Sequence, residues 1–202
     1  MNITNADYFT FNVHNSMLLI GQSGSGKSRL VHSLVKRYES AFKPNDMKYA
    51  IFDLKQCEFS VGNDDGAKQE YLLFDVEHGN APDYSFNKLE ELAALSKNRA
   101  KNNIKKPFIF IYIEECDMAC KDQGRFDAAL ITINQNAQKA NMKLVYSTSS
   151  PRLDTVSGKL LESFELVLIG SFSYDSWLYE YFGISKESQP SLSNYEFLVI
   201  ER

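Results

Sequence analysis

Apolar residues along this chain fall into short continuous runs separated by longer stretches with helical spacing, the alternation that builds a layered α/β fold. Positions 16–20 (Ser-Met-Leu-Leu-Ile) form a run too short for a helix and end at glycine, so they read as a buried strand. Leu30, Val31, Leu34 and Val35 then share one helical face, and Lys43, Pro44, Asn45 and Asp46 supply the turn that closes that helix. Strands are expected at 48–52, 71–74, 108–113, 143–148, 166–170 and 196–200, with helices over 85–98, 126–140 and 153–164. The run 108–113 (Phe-Ile-Phe-Ile-Tyr-Ile) is apolar at every position, as a central strand covered on both faces must be. An alternating stretch at 8–13 predicts an edge strand, and loops are expected at 60–67 and 79–83. The pattern implies one α/β domain over 1–202, with a mostly parallel central sheet and helices on both faces.

The junction between the first buried strand and the first helix carries the chemistry. Gly21, Gln22, Ser23, Gly24, Ser25, Gly26, Lys27 and Ser28 spell G-x-x-x-x-G-K-S between a strand and a helix, which is the context a phosphate-binding loop needs. Glycines allow successive backbone N–H groups to turn inward around a phosphate, and the helix N-terminus adds partial positive charge. Lys27 would neutralise the β- and γ-phosphate oxygens of a bound nucleotide, and the Ser28 hydroxyl would sit on Mg²⁺. An ordinary glycine-rich turn has no need of Lys and Ser at those two places.

A second element of the site lies at the end of the 108–113 run, which leads directly into Glu114 and Glu115. Open α/β sheets collect ligands at the carboxyl ends of their strands, so these carboxylates are expected beside the loop. Glu114 would hold Mg²⁺ and Glu115 would orient and deprotonate the attacking water, with Asp117 an alternative for either role. Most such enzymes place Asp where this chain has Glu114, one methylene longer.

In order and spacing these blocks resemble the motor core of the FtsK/HerA family of DNA-translocating ATPases, a RecA-like P-loop fold. The family's D-P-K-x-x-E-[LF] block is similar to Asp53-Leu54-Lys55-Gln56-Cys57-Glu58-Phe59, and its D-E-F-A-D-L to Glu114-Glu115-Cys116-Asp117-Met118. Its A-Q-x-A, A-T-Q-R-P and D-x-x-T-G-x-I blocks correspond to 134–137, 147–151 and 154–160. The resemblance puts the family's γ-phosphate sensor on Ser149, with Thr148 as the neighbouring candidate. The two family arginines fall near Gln138 and Val167, so no arginine finger carries over; Lys139 and Arg152 are weak substitutes. It further implies ATP and Mg²⁺ as cofactors, double-stranded DNA as partner, and a homo-oligomeric ring, hexamer or pentamer. Among family members, small viral genome-packaging ATPases come closest in size and organisation, which implies host cytoplasm as the location and a capsid or membrane docking protein as a further partner. DNA-transfer ATPases of conjugative elements are the alternative, and the initial Met with the ending on an apolar strand leads us to expect a free-standing motor.

Composition narrows the reading only a little. A chain of 202 residues, 44% hydrophobic and 24% charged, is ordinary for a globular protein, and a net charge of −4 argues against a uniformly basic DNA binder. Cys57, Cys116 and Cys120 are too few for a disulfide framework, and no apolar stretch is long enough to span a bilayer. The first residues lack a signal peptide's basic and apolar regions. Lys97, Arg99, Lys101, Lys105 and Lys106 read as a solvated helix end, while Lys121 and Arg125, placed in a loop after the acidic strand, are candidate DNA contacts. Rival functions are a P-loop kinase with Asp53 on a small substrate, and a nucleotide-dependent scaffold that does not hydrolyse.

Overall fold

Burial on both faces decides the centre of this molecule. In the computed structural model, which describes residues 2–5, 15–53, 59, 68–74, 82–114, 122–149, 156–171, 180–185 and 191–202, the strands are β1 (Asn2–Asn5), β2 (Ser16–Ile20), β3 (Met47–Asp53), β4 (Phe108–Glu114), β5 (Met142–Thr148), β6 (Leu166–Ile169) and β7 (Glu196–Glu201). Among the described residues they form a seven-stranded sheet in the order β1-β7-β6-β2-β5-β4-β3. From β6 to β3 neighbouring strands are parallel; β7 runs antiparallel to β6, and β1 antiparallel to β7. This is the mostly parallel sheet the hydrophobic pattern predicts.

Alternate residues of each strand enter different layers because successive side chains of a strand point to opposite faces. Met17, Leu19, Tyr49, Ile51, Phe110, Tyr112 and Val145 meet Leu30, Val31, Leu34 and Val35 of α1 (Lys27–Ala41) on one face. Leu18, Ile20, Ile109, Ile111, Ile113, Leu144 and Tyr146 face the other layer. That layer is built by α2 (Pro82–Asn102), α3 (Gln123–Ala140) and α4 (Gly158–Ser163) through Phe86, Leu89, Leu92, Leu130, Ile133, Leu160 and Leu161. A central strand with both faces dry can be apolar throughout, which explains the unbroken run in β4.

Local polar groups set the helix ends. Asp122 caps α3 by accepting the Arg125 N–H at 3.1 Å, and Ser157 caps α4 by accepting the Leu160 N–H at 3.2 Å. At the far end of α3, Asn141 takes the left-handed conformation (φ 53°) and its N–H reaches the Ala137 and Gln138 carbonyls. Pro82 opens α2, where a missing N–H costs nothing.

Three expectations are corrected. Residues 71–74 do not form a strand: Gln69–Tyr71 is a single 3₁₀ turn, and only Leu72 bridges to Tyr49. Tyr71 is drawn inward instead, stacking on Tyr49 at 5.7 Å between ring centroids and donating its hydroxyl to the Phe42 carbonyl at 2.9 Å. The helix expected over 153–164 is described only as the short α4, and the observed outer strand is β1, while the stretch 8–13 lies outside the described residues.

The third correction concerns Arg99, which is not part of a solvated helix end. It is 3% exposed, and its guanidinium donates to the carbonyls of Ala140 at 2.9 Å, Pro107 at 2.6 Å and Lys106 at 3.5 Å. One side chain thus ties the end of α2 to the end of α3 and the entry of β4. Arg99→Ala leaves three carbonyls short of a donor and is expected to lower the unfolding free energy by about 2–4 kcal/mol in urea titrations, whereas exposed Lys101→Ala should change it by less than about 0.5 kcal/mol. Lys in place of Arg99 should recover little, because an ammonium cannot spread three donors over that span.

Candidate functional site

The phosphate loop exists because β2 ends where its neighbours also end. Gly21 N–H donates to the Thr148 carbonyl at 3.2 Å and Gln22 N–H to the Ser171 carbonyl at 2.9 Å, so the loop is stitched to the strand ends on both sides. From there the chain reverses through Gly24 (φ 83°) and Gly26 (φ 101°) into α1. Both angles are in the left-handed region, where a side chain is strained, and a Cβ on Gly26 would stand 2.6 Å from the Tyr195 ring. A Cβ on Gly21 would meet Ser25 Oγ at 2.4 Å.

Lys27 is 6% exposed, and its ammonium donates to the Gly21 carbonyl at 2.6 Å and the Gln22 carbonyl at 3.3 Å. The cation is therefore held across the mouth of its own loop. Ser28 follows, half-buried in the first turn of α1. Ser25 Oγ is buried without a hydrogen-bond partner among the described residues, a polar group awaiting one inside the loop. A phosphate group fits this setting of two left-handed glycines, a buried ammonium and a helix N-terminus.

The acidic side of the site is built by register. Asp53, Glu114 and Ser147 are direct neighbours across β3, β4 and β5 at their carboxyl ends. By alternation each shares the face of Tyr49, Tyr112 and Val145, the face covered by α1, so they project into the layer that holds Lys27. Glu114 is half-buried and its Oε2 accepts the Tyr112 hydroxyl at 2.8 Å. Asp53, 5% exposed, accepts the Phe59 N–H at 3.0 Å. Ser147 Oγ is buried with no partner among the described residues. Ser149 sits half-buried just past β5, beside Thr148.

Among the described residues no three acidic, His or Cys side chains gather into a metal cage. Magnesium in a phosphate site needs none, since it is held by one or two protein oxygens, phosphate oxygens and water. Ser28 and Glu114 carry hard oxygen donors of that kind.

Several expected residues lie outside the described part: Glu115, Asp117, Lys121, Arg152 and the three cysteines. Arg125 is corrected. It belongs to the first turn of α3 and not to a loop, its guanidinium forms a two-pronged pair with Glu90 at 2.9 and 2.8 Å, and it lies over the Phe86 ring. The Glu90 carboxyl is held below its ordinary range by that hydrogen bond. Lys139 is in the last turn of α3, at the sheet edge where β5 begins, opposite the edge that carries the loop. Sequence reasoning missed Tyr112, whose hydroxyl anchors Glu114; a tyrosine two residues before an acid in an apolar strand is the available signal.

No protein-family profile matches the chain. The DNA translocase FtsK of Streptococcus pyogenes serotype M3 (strain SSI-1) is 26% identical over 167 aligned positions, taking in 70% of this chain and 20% of its own length. The chain thus spans about a fifth of the curated relatives it matches. Among solved structures, the pCW3 conjugation coupling protein TcpA with ATPγS superposes with a TM-score of 0.71 at 15% identity, covering 96% of this chain and 59% of TcpA. The genome packaging NTPase B204 of Sulfolobus turreted icosahedral virus 2 with ATPγS gives 0.57 at 19% identity, covering 95% and 93%.

In sequence and fold the chain is similar to FtsK/HerA-type P-loop ATPases.

Within that family pattern, two blocks take structural roles here. Asn134 and Ala137, of the A-Q-x-A block, are buried, and Asn134 donates to Ser163 Oγ at 2.8 Å. Ser157, where the family has Thr before Gly, is the α4 cap described above.

Two outcomes test the geometry. Lys27→Ala should abolish detectable ATP binding in calorimetry while circular dichroism remains that of the folded chain. Glu114→Gln should bind ATP as wild type in EDTA and lose the gain that Mg²⁺ confers, because the amide keeps the Tyr112 contact and loses the negative charge.

Proposed function

We propose that this chain is the ATP-hydrolysing motor of a double-stranded DNA translocase that works as a homo-oligomeric ring of five or six subunits, and that its task is viral genome packaging. The observation that carries the reading is the pairing of the Gly21–Ser28 loop and the Glu114 carboxylate on one edge of an FtsK/HerA-like sheet. The packaging assignment is supported by the match to B204, which runs nearly end to end in both chains, whereas FtsK is matched over one part of a much longer protein. The TM-score of 0.71 with a conjugation coupling protein favours DNA transfer in conjugation as the second reading. No helix among the described residues is long and apolar enough to cross a membrane.

Bound Mg-ATP would supply the phosphoanhydride whose cleavage releases free energy. Lys27 and the loop N–H groups hold its β- and γ-phosphates in place, and Ser28 and Glu114 offer oxygens to the metal. Tyr112 keeps Glu114 aimed by its hydrogen bond. Glu115 takes the proton of the attacking water, and Ser149 hydrogen-bonds at the γ-phosphate end. Against the kinase reading, the Asp53 carboxylate is buried and bonded to the Phe59 N–H of its own chain.

With a net charge of −4, DNA attraction must come from basic segments gathered when subunits assemble. Duplex DNA of arbitrary sequence should therefore raise phosphate release, only at protein concentrations that permit rings, and less as salt rises. Glu115→Gln should bind Mg-ATP yet hydrolyse it at least about a hundredfold more slowly. A rate indifferent to DNA at every concentration and at low salt overturns an autonomous translocase. Normal hydrolysis by Glu115→Gln overturns the assignment of the base.

A further inference from the structure

The sheet order gives the phosphate site two unlike sides. Glu114 ends β4 and Ser149 follows β5, on one side of β2, while β6 and β7 are on the other. A nucleotide whose terminal phosphate faces Glu114 must lead its nucleoside away from β4 and β5, toward β6 and β7. There the loop meets Tyr195. Because β7 runs antiparallel to β6, its start lies at the same edge as the loop, and the Tyr195 N–H donates to the Ser25 carbonyl at 3.1 Å. The ring stands against the last glycine of the loop, its Cδ1 2.6 Å from where a Gly26 Cβ would be.

Two properties of Tyr195 lack a packing explanation. Its φ of 73° puts a bulky aromatic in the left-handed region, where glycine or asparagine would be at ease, and such outliers concentrate where a ligand is met. It is also 39% exposed, so burial does not repay that strain. The guanidinium of Arg29, in the first turn of α1, lies 4.7 Å from the ring centroid and fixes the ring's orientation. The other exposed aromatics among the described residues are placed elsewhere: Phe42 at the far end of α1, and Tyr181 under Arg202.

We propose that Tyr195 is the stacking platform for the base of the bound nucleotide, oriented by Arg29. The inference rests on the nucleotide-site reading above. Stacking recognises the flat face of a base and makes no use of the phosphates, so it has a signature that a merely structural tyrosine lacks.

Calorimetry with Mg-ATP and with Mg-tripolyphosphate, which has the phosphates and no base, separates the two. Tyr195→Leu should weaken ATP by about tenfold or more and leave tripolyphosphate within about twofold, while Tyr195→Phe keeps wild-type affinity for both. Equal weakening of both ligands, or unchanged ATP affinity in folded Tyr195→Leu, overturns the proposal. Should the Leu variant not fold, Tyr195→Trp gives an independent reading: its fluorescence, after subtraction of the wild-type signal, should respond to ATP and stay unchanged with tripolyphosphate, and an equal response to both overturns the platform. Wild-type protein that binds neither ligand overturns the phosphate site itself. Retained tripolyphosphate binding with no effect of Tyr195 overturns the platform alone.

Discussion

A loop that holds a phosphate must expose backbone N–H groups without letting them collapse onto each other, and everything else in this domain serves that constraint. The chain turns through left-handed Gly24 and Gly26, while hydrogen bonds from Gly21 to Thr148 at the end of β5 and from Gln22 to Ser171 past β6 fix the base of the loop. Those anchors stay in place only because β2 is buried on both faces between β5 and β6. The dry core is thus part of the site's chemistry: it sets where the N–H groups point, and pre-oriented dipoles need no reorganisation when charge arrives. Lys27 shows the same economy. It is buried and held by two loop carbonyls.

Charge is balanced across the strand ends by register. Parallel pairing sets Asp53, Glu114 and Ser147 side by side, and alternation turns all three toward the α1 layer. Two carboxylates so placed need separate partners, and they have them: the Phe59 N–H for Asp53 and the Tyr112 hydroxyl for Glu114. Asp53 is buried and bonded to a backbone N–H, while Glu114, half-buried and held by a hydroxyl of its own strand, is the carboxylate proposed for the metal.

How much of this was legible in the sequence depends on the range of the forces involved. β4 and β2 could be read because complete burial leaves a residue-by-residue mark, and the phosphate loop because its glycines answer a local conformational demand. The strand expected at 71–74 failed for a reason that no local pattern contains: Tyr71 finds its hydroxyl partner in Phe42, far back in the chain. Arg99 was misread in the same way. Its basic neighbours Lys97 and Lys101 are exposed, but the helix turns Arg99 inward, where carbonyls from three segments converge. Arg125 looked like a loop cation until Asp122 proved to be a helix cap, which draws it into α3 and onto Glu90. In each case tertiary partners outweigh local propensity.

Asymmetry about β2 gives its two flanks unlike chemistry. On the β5 and β4 side the strand ends carry hydroxyls and carboxylates, groups able to meet metal, water and the terminal phosphate. On the β6 side the chain returns through an antiparallel strand, whose first residues close over the loop with a backbone hydrogen bond and an aromatic ring. Hydrolysis would therefore alter charge on one flank of α1 while the other flank stays tied to the loop through Ser25 and Tyr195. The motor proposed above needs such an inequality. If both flanks responded alike, loss of a phosphate would relax the site without giving its movement a direction.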